Sequence, residues 1–448
     1  MNYRISTISW GHWHLNIFLN WNLRSLSTYD NRKFFLNNKV CYKIYTKEND
    51  VLEIKKNHFF KKLSEICKCE IEIIDEIFTF NPIALHHKYW LISKNEADQK
   101  NEIMIFNPPD VLWSSNSFLN IEKLIKSGKK AIFMSFSRSI AESLLDDLDR
   151  LPKDYKFLAN DLVKLSIKNM HPLTISYNFR SKIIPDHSEQ IFSFHENGYS
   201  VSSLTRELFV LYPNFIQLSK LSLPINNVKE KFLHKCVDSE QIFAISFAPL
   251  FQCFDWYLGS KRNKILDICN WWITYNSTIN NYIFKNTALF YFNKKKKPLP
   301  RELKEFMNKI IVGKEFLNFF YKLPFFPNFF IKTTLIDLIH NYFEKKILKE
   351  EKIFIFVTDY HIEKVLILIS NACKKNLSKE TIKDLENYLN KLSYRSLDDL
   401  TKKNSIKKKI DANIYSIYNL NLGNNKEIIF FYDNEILKID NCEKYIFN

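Results

Sequence analysis

Along the first half of the chain, apolar residues recur by turns at strand spacing and at helical spacing. Arg4 to Ser9 alternates as a strand, His14 to Leu26 carries its apolar residues at helical spacing, Val40 to Thr46 is a second strand and Lys55 to Ile66 a further helix. Glu70 to Ile74 continues the alternation. A helix through the 80s and 90s follows, then Glu102 to Phe106, which reads as a buried strand ending at Asn107-Pro108-Pro109-Asp110. Ser117 to Ser127 is helical and closed by Gly128, and Ala131 to Phe136 is strand-like. This alternation predicts an α/β domain with a mainly parallel, Rossmann-like sheet covered by helices on both faces. Such sheets bind ligands at the carboxyl ends of their strands.

Beyond about residue 255 helical patterns dominate. The change predicts a boundary near Trp256 to Lys261, separating an α/β domain over 1–255 from a largely helical, basic C-terminal domain over 256–448. Lys294 to Lys297 and Lys402 to Lys409 are basic clusters, read as solvated surface or as contacts to an anionic membrane. Glu427 to Tyr432 and Glu435 to Ile439 read as a terminal hairpin about Asn434. Phe316 to Ile331 is the most apolar stretch, but Lys322, Pro324 and Pro327 interrupt it, so a helix-loop element resting on a membrane surface is expected rather than a span. The N-terminal MNYRISTISWGHWHLN lacks the apolar run of a signal peptide. A cytoplasmic location follows as the expectation, with membrane contact at most peripheral.

Composition narrows the chemistry. The 448 residues are 46% apolar, enough to fill the cores of two or three domains. Only six are glycine, against about 7% in an average protein. Neither a phosphate-binding P-loop nor the three-glycine dinucleotide fingerprint can therefore be present. The net charge of +16 favours anionic partners such as nucleic acid, anionic lipid or phosphorylated substrates. Eight cysteines are scattered, and the close pair Cys67 and Cys69 is one residue too tight for a C-x-x-C site, so reduced core thiols are expected.

Ser9-Trp10-Gly11-His12-Trp13-His14 sits where the first strand should give way to a helix. A glycine there lets backbone approach a phosphate or base, or simply makes a tight turn among packed aromatics. Asp110, held by two prolines at the end of a buried strand, is placed to meet a sugar hydroxyl, a ribose or a metal ion; the alternative is a cap on the next turn. His86-His87, His171-Pro172, Asp186-His187 and His195 gather titratable groups without metal-ligand spacing. A histidine at a loop entrance suits a general base or a phosphate donor, or else a structural role. Asp238-Ser239-Glu240 before Ile242 to Phe247 suits a base or a loop cap.

In order along roughly residues 1 to 250, these pieces resemble a family of bacterial glycosyltransferase-like proteins with a fold of the glycosyltransferase A type. The resemblance rests on Trp10-Gly11-x-x-His14, Leu23-Arg24-Ser25-Leu26, the strand end Ile44-Tyr45-Thr46, a helix with His87, and Pro109-Asp110-Val111-Leu112-Trp113. It continues through Ser127-Gly128-Lys129-Lys130-Ala131, His171-Pro172-Leu173-Thr174 and Asp238-Ser239-Glu240-Gln241-Ile242-Phe243. It implies a transferase using a nucleotide-sugar donor and a glycan, lipid or protein acceptor. Thr7, Ser9, Trp10, Gly11, His14, Thr46 and His87 would border the donor. Asp110 would face the ribose, a Mn²⁺ or Mg²⁺ ion, or the diphosphate; His171, Asp186 or Glu240 would activate the acceptor, and Arg138 would neutralise the departing diphosphate. The family pattern keeps a second acid two residues from the first. Here those positions are Pro108 and Leu112.

Two other classes fit parts of the sequence. A basic, aromatic-rich chain suits a nucleic-acid-binding or defence-related protein, although no zinc pattern or RNA-binding signature accompanies it. A glycosyltransferase fold that has lost its second acid suits a catalytically inactive binder of carbohydrate or of a partner.

Overall fold

A computed structural model of the chain describes residues 1–74, 82–152, 154–180, 190–195, 197–203, 208–218, 228–249, 265, 268–269, 278–292, 299–322, 353–356, 428–432, 435–440 and 443–446. The chain divides into two compact units, Met1–Lys168 with Glu196–Ala248 and Ser277–Lys296, and Asn169–His195 with Pro249–Asn276 and Lys297–Asn448. The expected boundary at Trp256 to Lys261 and both lysine clusters lie outside the described residues.

The strands of the first unit are β1 (Asn2–Ile8), β2 (Lys39–Thr46), β3 (Lys68–Ile73), β4 (Ile103–Phe106), β5 (Val111–Trp113), β6 (Ala131–Phe133) and β7 (Ser137–Ile140). In chain order there follow β8 (Gln190–His195) of the second unit, then β9 (Gly198–Ser203), β10 (Leu208–Leu211), β11 (Leu233–Lys235), β12 (Ala244–Ala248) and β13 (Ala288–Tyr291) of the first. Seven of them form one sheet in the order β11-β6-β10-β4-β1-β2-β3. All run parallel except β10, which is antiparallel to both of its neighbours. A smaller sheet places β12 between β5, antiparallel, and β7, parallel.

The mainly parallel sheet is the one expected from the alternating pattern. Its inner strands β1, β2, β4 and β6 are buried on both faces, as crossover helices require, and the edge strand β3 is half-buried. Tyr3, Ile5, Tyr42 and Ile44 pack on one face with Phe18, Leu23, Phe34, Trp113 and Phe118. On the other face Met104, Phe106, Ala131 and Phe133 pack with Ala97 of the helix Pro82–Gln99 and with Ile279 and Ile283 of the helix Thr278–Lys285. The helix Ser117–Lys126 ends as expected, with Gly128 at φ +91.

Three boundaries differ from the expectation. The single helix over Lys55 to Ile66 is two, Glu48–Lys56 and His58–Ser64, because Asn57 is extended and its side chain caps the second by accepting from Phe59 N and Phe60 N at 2.9 and 3.1 Å. The strand over Ala131 to Phe136 stops at Phe133, and Ser137 opens β7 in the smaller sheet. The strand over Ile242 to Phe247 begins two residues later, at Ala244.

In the second unit the described residues include the helix Arg301–Lys322 and four strands, β14 (Ile353–Phe356), β15 (Ile428–Tyr432), β16 (Glu435–Asp440) and β17 (Glu443–Ile446). The expected hairpin is the antiparallel β15–β16 pair, to which β14 adds in parallel and β17 antiparallel. Among the described residues no helix is long and apolar enough to cross a membrane.

Candidate active site

From β1 the chain adds β2 and β3 on one side and then returns to place β4 on the other, so the order of the parallel strands switches between β1 and β4. The crevice outside the carboxyl ends at such a switch is where α/β sheets bind ligands. Ser9-Trp10-Gly11 leaves β1 there, and Asn107-Pro108-Pro109-Asp110 leaves β4 beside it.

Beneath the crevice lies a fully buried polar network. Asn107 Nδ2 approaches Thr7 Oγ1 at 2.9 Å, Tyr42 Oη at 2.8 Å and Asn22 Oδ1 at 3.0 Å, while its Oδ1 accepts from Trp113 Nε1 at 2.8 Å. Burial pushes the Tyr42 hydroxyl pKa up despite its bonds to Thr7 and Asn107, so it stays protonated and able to donate. Thr7, expected to border the donor, is therefore part of this support, 2.8 Å from Tyr42 Oη. Asn22, Tyr42 and Trp113 were not singled out as polar partners from sequence. The run His14 to Leu26 carries three asparagines, Asn16, Asn20 and Asn22, and nothing in the sequence sets the last apart.

Above the network are polar atoms with no partner. Ser9 Oγ and Thr46 Oγ1 are both buried and unbonded, at the ends of the adjacent strands β1 and β2, where Ser9 N donates to Tyr45 O at 2.9 Å. A buried hydroxyl without a partner costs about 1–3 kcal/mol, which a bound polar ligand would recover. On the helix Pro82–Gln99, His87 Nδ1 and Trp90 Nε1 are also buried without a partner. The indole of Trp90 lies edge-on to Phe106 at 5.7 Å and to His86 at 5.9 Å, and His86 in turn meets Trp10 at 5.1 Å. Burial lowers the His87 pKa, favouring the neutral imidazole.

Gly11 has φ +79, a region that L side chains rarely enter, and its N–H donates to Asp50 Oδ2 at 3.0 Å. The Gly11 amide is thus held by Asp50, and the positive φ is one that the turn itself requires. With ψ 150, Gly11 sits in a region open almost only to glycine, and Gly11→Ala is expected to cost about 1–3 kcal/mol of stability, seen as a lowered denaturant midpoint. An unchanged midpoint would restore the close-approach reading. His14 is half-buried, edge-on to Trp13 at 4.8 Å.

Asp110 is half-buried, and its carbonyl accepts from Phe247 N at 2.8 Å, tying the loop to β12. Arg138, also half-buried, lies opposite Ser246 of β12, whose other neighbour is Val111. Arg138 and the Asp110 loop are therefore two strands apart, about 10 Å between backbones.

The expected acceptor bases fare differently. His171 caps the helix Pro172–Ser176: Nδ1 accepts from Leu173 N at 3.3 Å, and Nε2 lies 3.0 Å from Pro249 O. Both ring nitrogens are engaged within the second unit. Glu240 sits on an exposed turn capped by Asp238, whose Oδ1 accepts Glu240 N at 2.9 Å. Asp186 lies outside the described residues.

A Mn²⁺ or Mg²⁺ ion held by protein takes several oxygen ligands. Asp110 supplies one carboxylate, the amide of Asn107 is committed to the buried network, and among the described residues no three His, Cys, Asp or Glu side chains are grouped to hold a metal. Among the described residues, Asp110 alone would not complete the shell of such an ion, and a bound diphosphate would have to supply the remaining oxygens.

No family model and no curated protein matches the chain. Among solved structures, S. aureus TarS is similar over 31% of this chain and 22% of its own, at 10% identity and a TM-score of 0.21. TarS 1–349 is similar over 35% of this chain and 52% of its own, at 10% identity and a TM-score of 0.22. Mouse xyloside xylosyltransferase 1, in its apo form, is similar over 33% and 58% respectively, at 10% identity and a TM-score of 0.20. The chain spans less than two thirds of each of these neighbours, which are glycosyltransferases, and its likeness to them is confined to a segment.

Proposed function

We propose that this chain is a glycosyltransferase that binds a nucleotide sugar across the β1–β4 switch point and passes the sugar to a glycan, lipid or protein acceptor. The observation that carries this reading is the placement of two buried, unpartnered hydroxyls, Ser9 and Thr46, at the carboxyl edge where the half-buried Asp110 also emerges. Ser9, Thr46, His87 and Trp90 offer hydrogen bonds to the nucleoside, and Asp110 accepts from the ribose or sugar hydroxyls. Transfer breaks the bond between the anomeric carbon and the phosphate oxygen, which leaves with the electron pair, while the acceptor oxygen bonds to that carbon and its proton passes to the departing diphosphate or to water. Arg138, on the strand next to β12, supplies positive charge as the diphosphate leaves. Holding donor and acceptor in one crevice supplies the proximity that the reaction needs.

The test is thermal unfolding with nucleoside diphosphates and nucleotide sugars, each with and without Mn²⁺ or Mg²⁺. At least one nucleotide is expected to raise the melting temperature, since ligand at a hundred times Kd adds about 2.7 kcal/mol. Asp110→Asn keeps its volume and is expected to stay folded while losing that stabilisation. Parent-like nucleotide stabilisation in Asp110→Asn removes the acid from the site, and no shift with any nucleotide removes the donor reading.

A further inference from the structure

We infer that Asn22 is a positioning residue for the Asp110 loop, placed by a π-helical turn that breaks the helical run after β1. The helix His12–Ile17 does not continue regularly into Leu23–Leu26; Phe18–Asn22 between them is π-helical. Such turns insert a residue into the helix and often mark functional positions. Here the turn carries Asn22, which is fully buried, onto the loop between β4 and β5.

The Asn22 side chain grips that loop at both ends. Its Nδ2 lies 3.0 Å from Pro108 O and 2.9 Å from Val111 O, the residues on either side of the Pro109-Asp110 pair. It also exchanges contacts with the Asn107 amide, at 3.0 and 3.3 Å. The two prolines have no N–H, so this stretch offers few backbone donors with which to fix itself. The carbonyls of Pro108 and Val111 are held from the helix side instead, and the Asp110 carbonyl is held from β12. Through Asn107, the same cluster reaches Thr7 on β1 and Tyr42 on β2. Asn22 therefore fixes the acid-bearing loop relative to the strand ends that carry Ser9 and Thr46.

That consequence for binding rests on the reading of Asp110 as a donor-facing acid, whereas the grip on the loop does not. The experiment separates the two. Amide exchange over 110–113 and nucleotide affinity are measured in the full chain for Asn22→Ala and Asn22→Ser, with Asn31→Ala as the control. Asn31 is an equally buried asparagine that donates to Ser25 O and Ser114 O, both at 3.0 Å, and makes no bond within the loop. Both Asn22 variants are expected to speed exchange over 110–113 by about tenfold, the worth of one net hydrogen bond. They should weaken UDP or GDP binding by a similar factor, whichever the parent binds. Asn31→Ala should lower the unfolding midpoint but leave both readouts at parent values. Exchange over 110–113 that is unchanged in the Asn22 variants, or raised as much by Asn31→Ala, overturns the inference. Faster exchange in the Asn22 variants, together with a parent that binds no nucleotide, keeps the positioning role and rejects the donor reading. If Asn22→Ala does not fold, Asn22→Ser, which retains one hydroxyl donor, carries the test.

Discussion

Glu96→Gln is expected to destabilise the first unit by about 1–3 kcal/mol, the worth of the charged hydrogen bonds it takes from two buried cations. Arg4 and Lys43 project from β1 and β2 toward the helix Pro82–Gln99, with side-chain exposures of 0% and 6%. Glu96 serves both: it accepts from Arg4 Nη1 at 2.9 Å and from Lys43 Nζ at 2.7 and 2.9 Å. Glu102 holds Arg4 Nε at 2.8 Å and Glu72 holds Lys43 at 2.6 Å, so each cation keeps one carboxylate in the variant. Arg4 Nη2 already has no partner. Urea unfolding checks the prediction, as a lower midpoint at unchanged slope; coincident curves would remove the cluster from the stability of the fold.

The pH dependence of this cluster has a definite sign. Burial lowers the Lys43 pKa, but the hydrogen bonds that its ammonium donates to Glu72 and Glu96 more than offset this, and the net shift is upward. A raised pKa in the folded state contributes stability that is fully present below the ordinary lysine value and is lost as pH rises through the folded value. Parent and variant should therefore converge in strongly alkaline solution.

Asn107→Ala is the second large effect, expected at about 2–5 kcal/mol because stranded buried polar groups cost about 1–3 kcal/mol each. Trp113 Nε1 and Asn22 Oδ1 lose their partner, while Thr7 and Tyr42 keep each other at 2.8 Å. Equilibrium unfolding measures the loss. A cost below that of an ordinary surface substitution would show that the network repacks without Asn107.

The parallel sheet was legible because β1 and β2 have strand-like spacing and β4 is a short apolar run, with amphipathic stretches between them. The antiparallel β10 was not. Leu208–Leu211 is four residues of apolar sequence whose direction depends on which gap in the sheet it fills, a tertiary choice that periodicity does not encode. At the site, the position of the Asp110 loop at a strand end could be read from Asn107-Pro108-Pro109-Asp110. What each side chain binds could not. Thr7 and Ser9 are both small hydroxyl residues near the end of β1, yet Asn107 and Tyr42 reach the first and leave the second bare. His171 next to Pro172 suited a general base, a phosphate donor or a structural role, and nothing in the sequence marks that its ring nitrogens lie against Leu173 N and Pro249 O.

The insertion of β10 between β4 and β6 also bears on how the protein is made. β4, the run Ile103–Phe106, is apolar and buried throughout, and one of its two edges is closed only by β10. Phe106 and Leu208 are about 100 residues apart in the sequence, so on a ribosome working at about 5–20 residues per second that edge stays open for roughly 5–20 s. An unpaired apolar edge is a template for association with other nascent chains. β4 is only four residues long, and two of them, Ile105 and Met104, register with Val210 and Leu211. Its shortness limits the exposure during that interval.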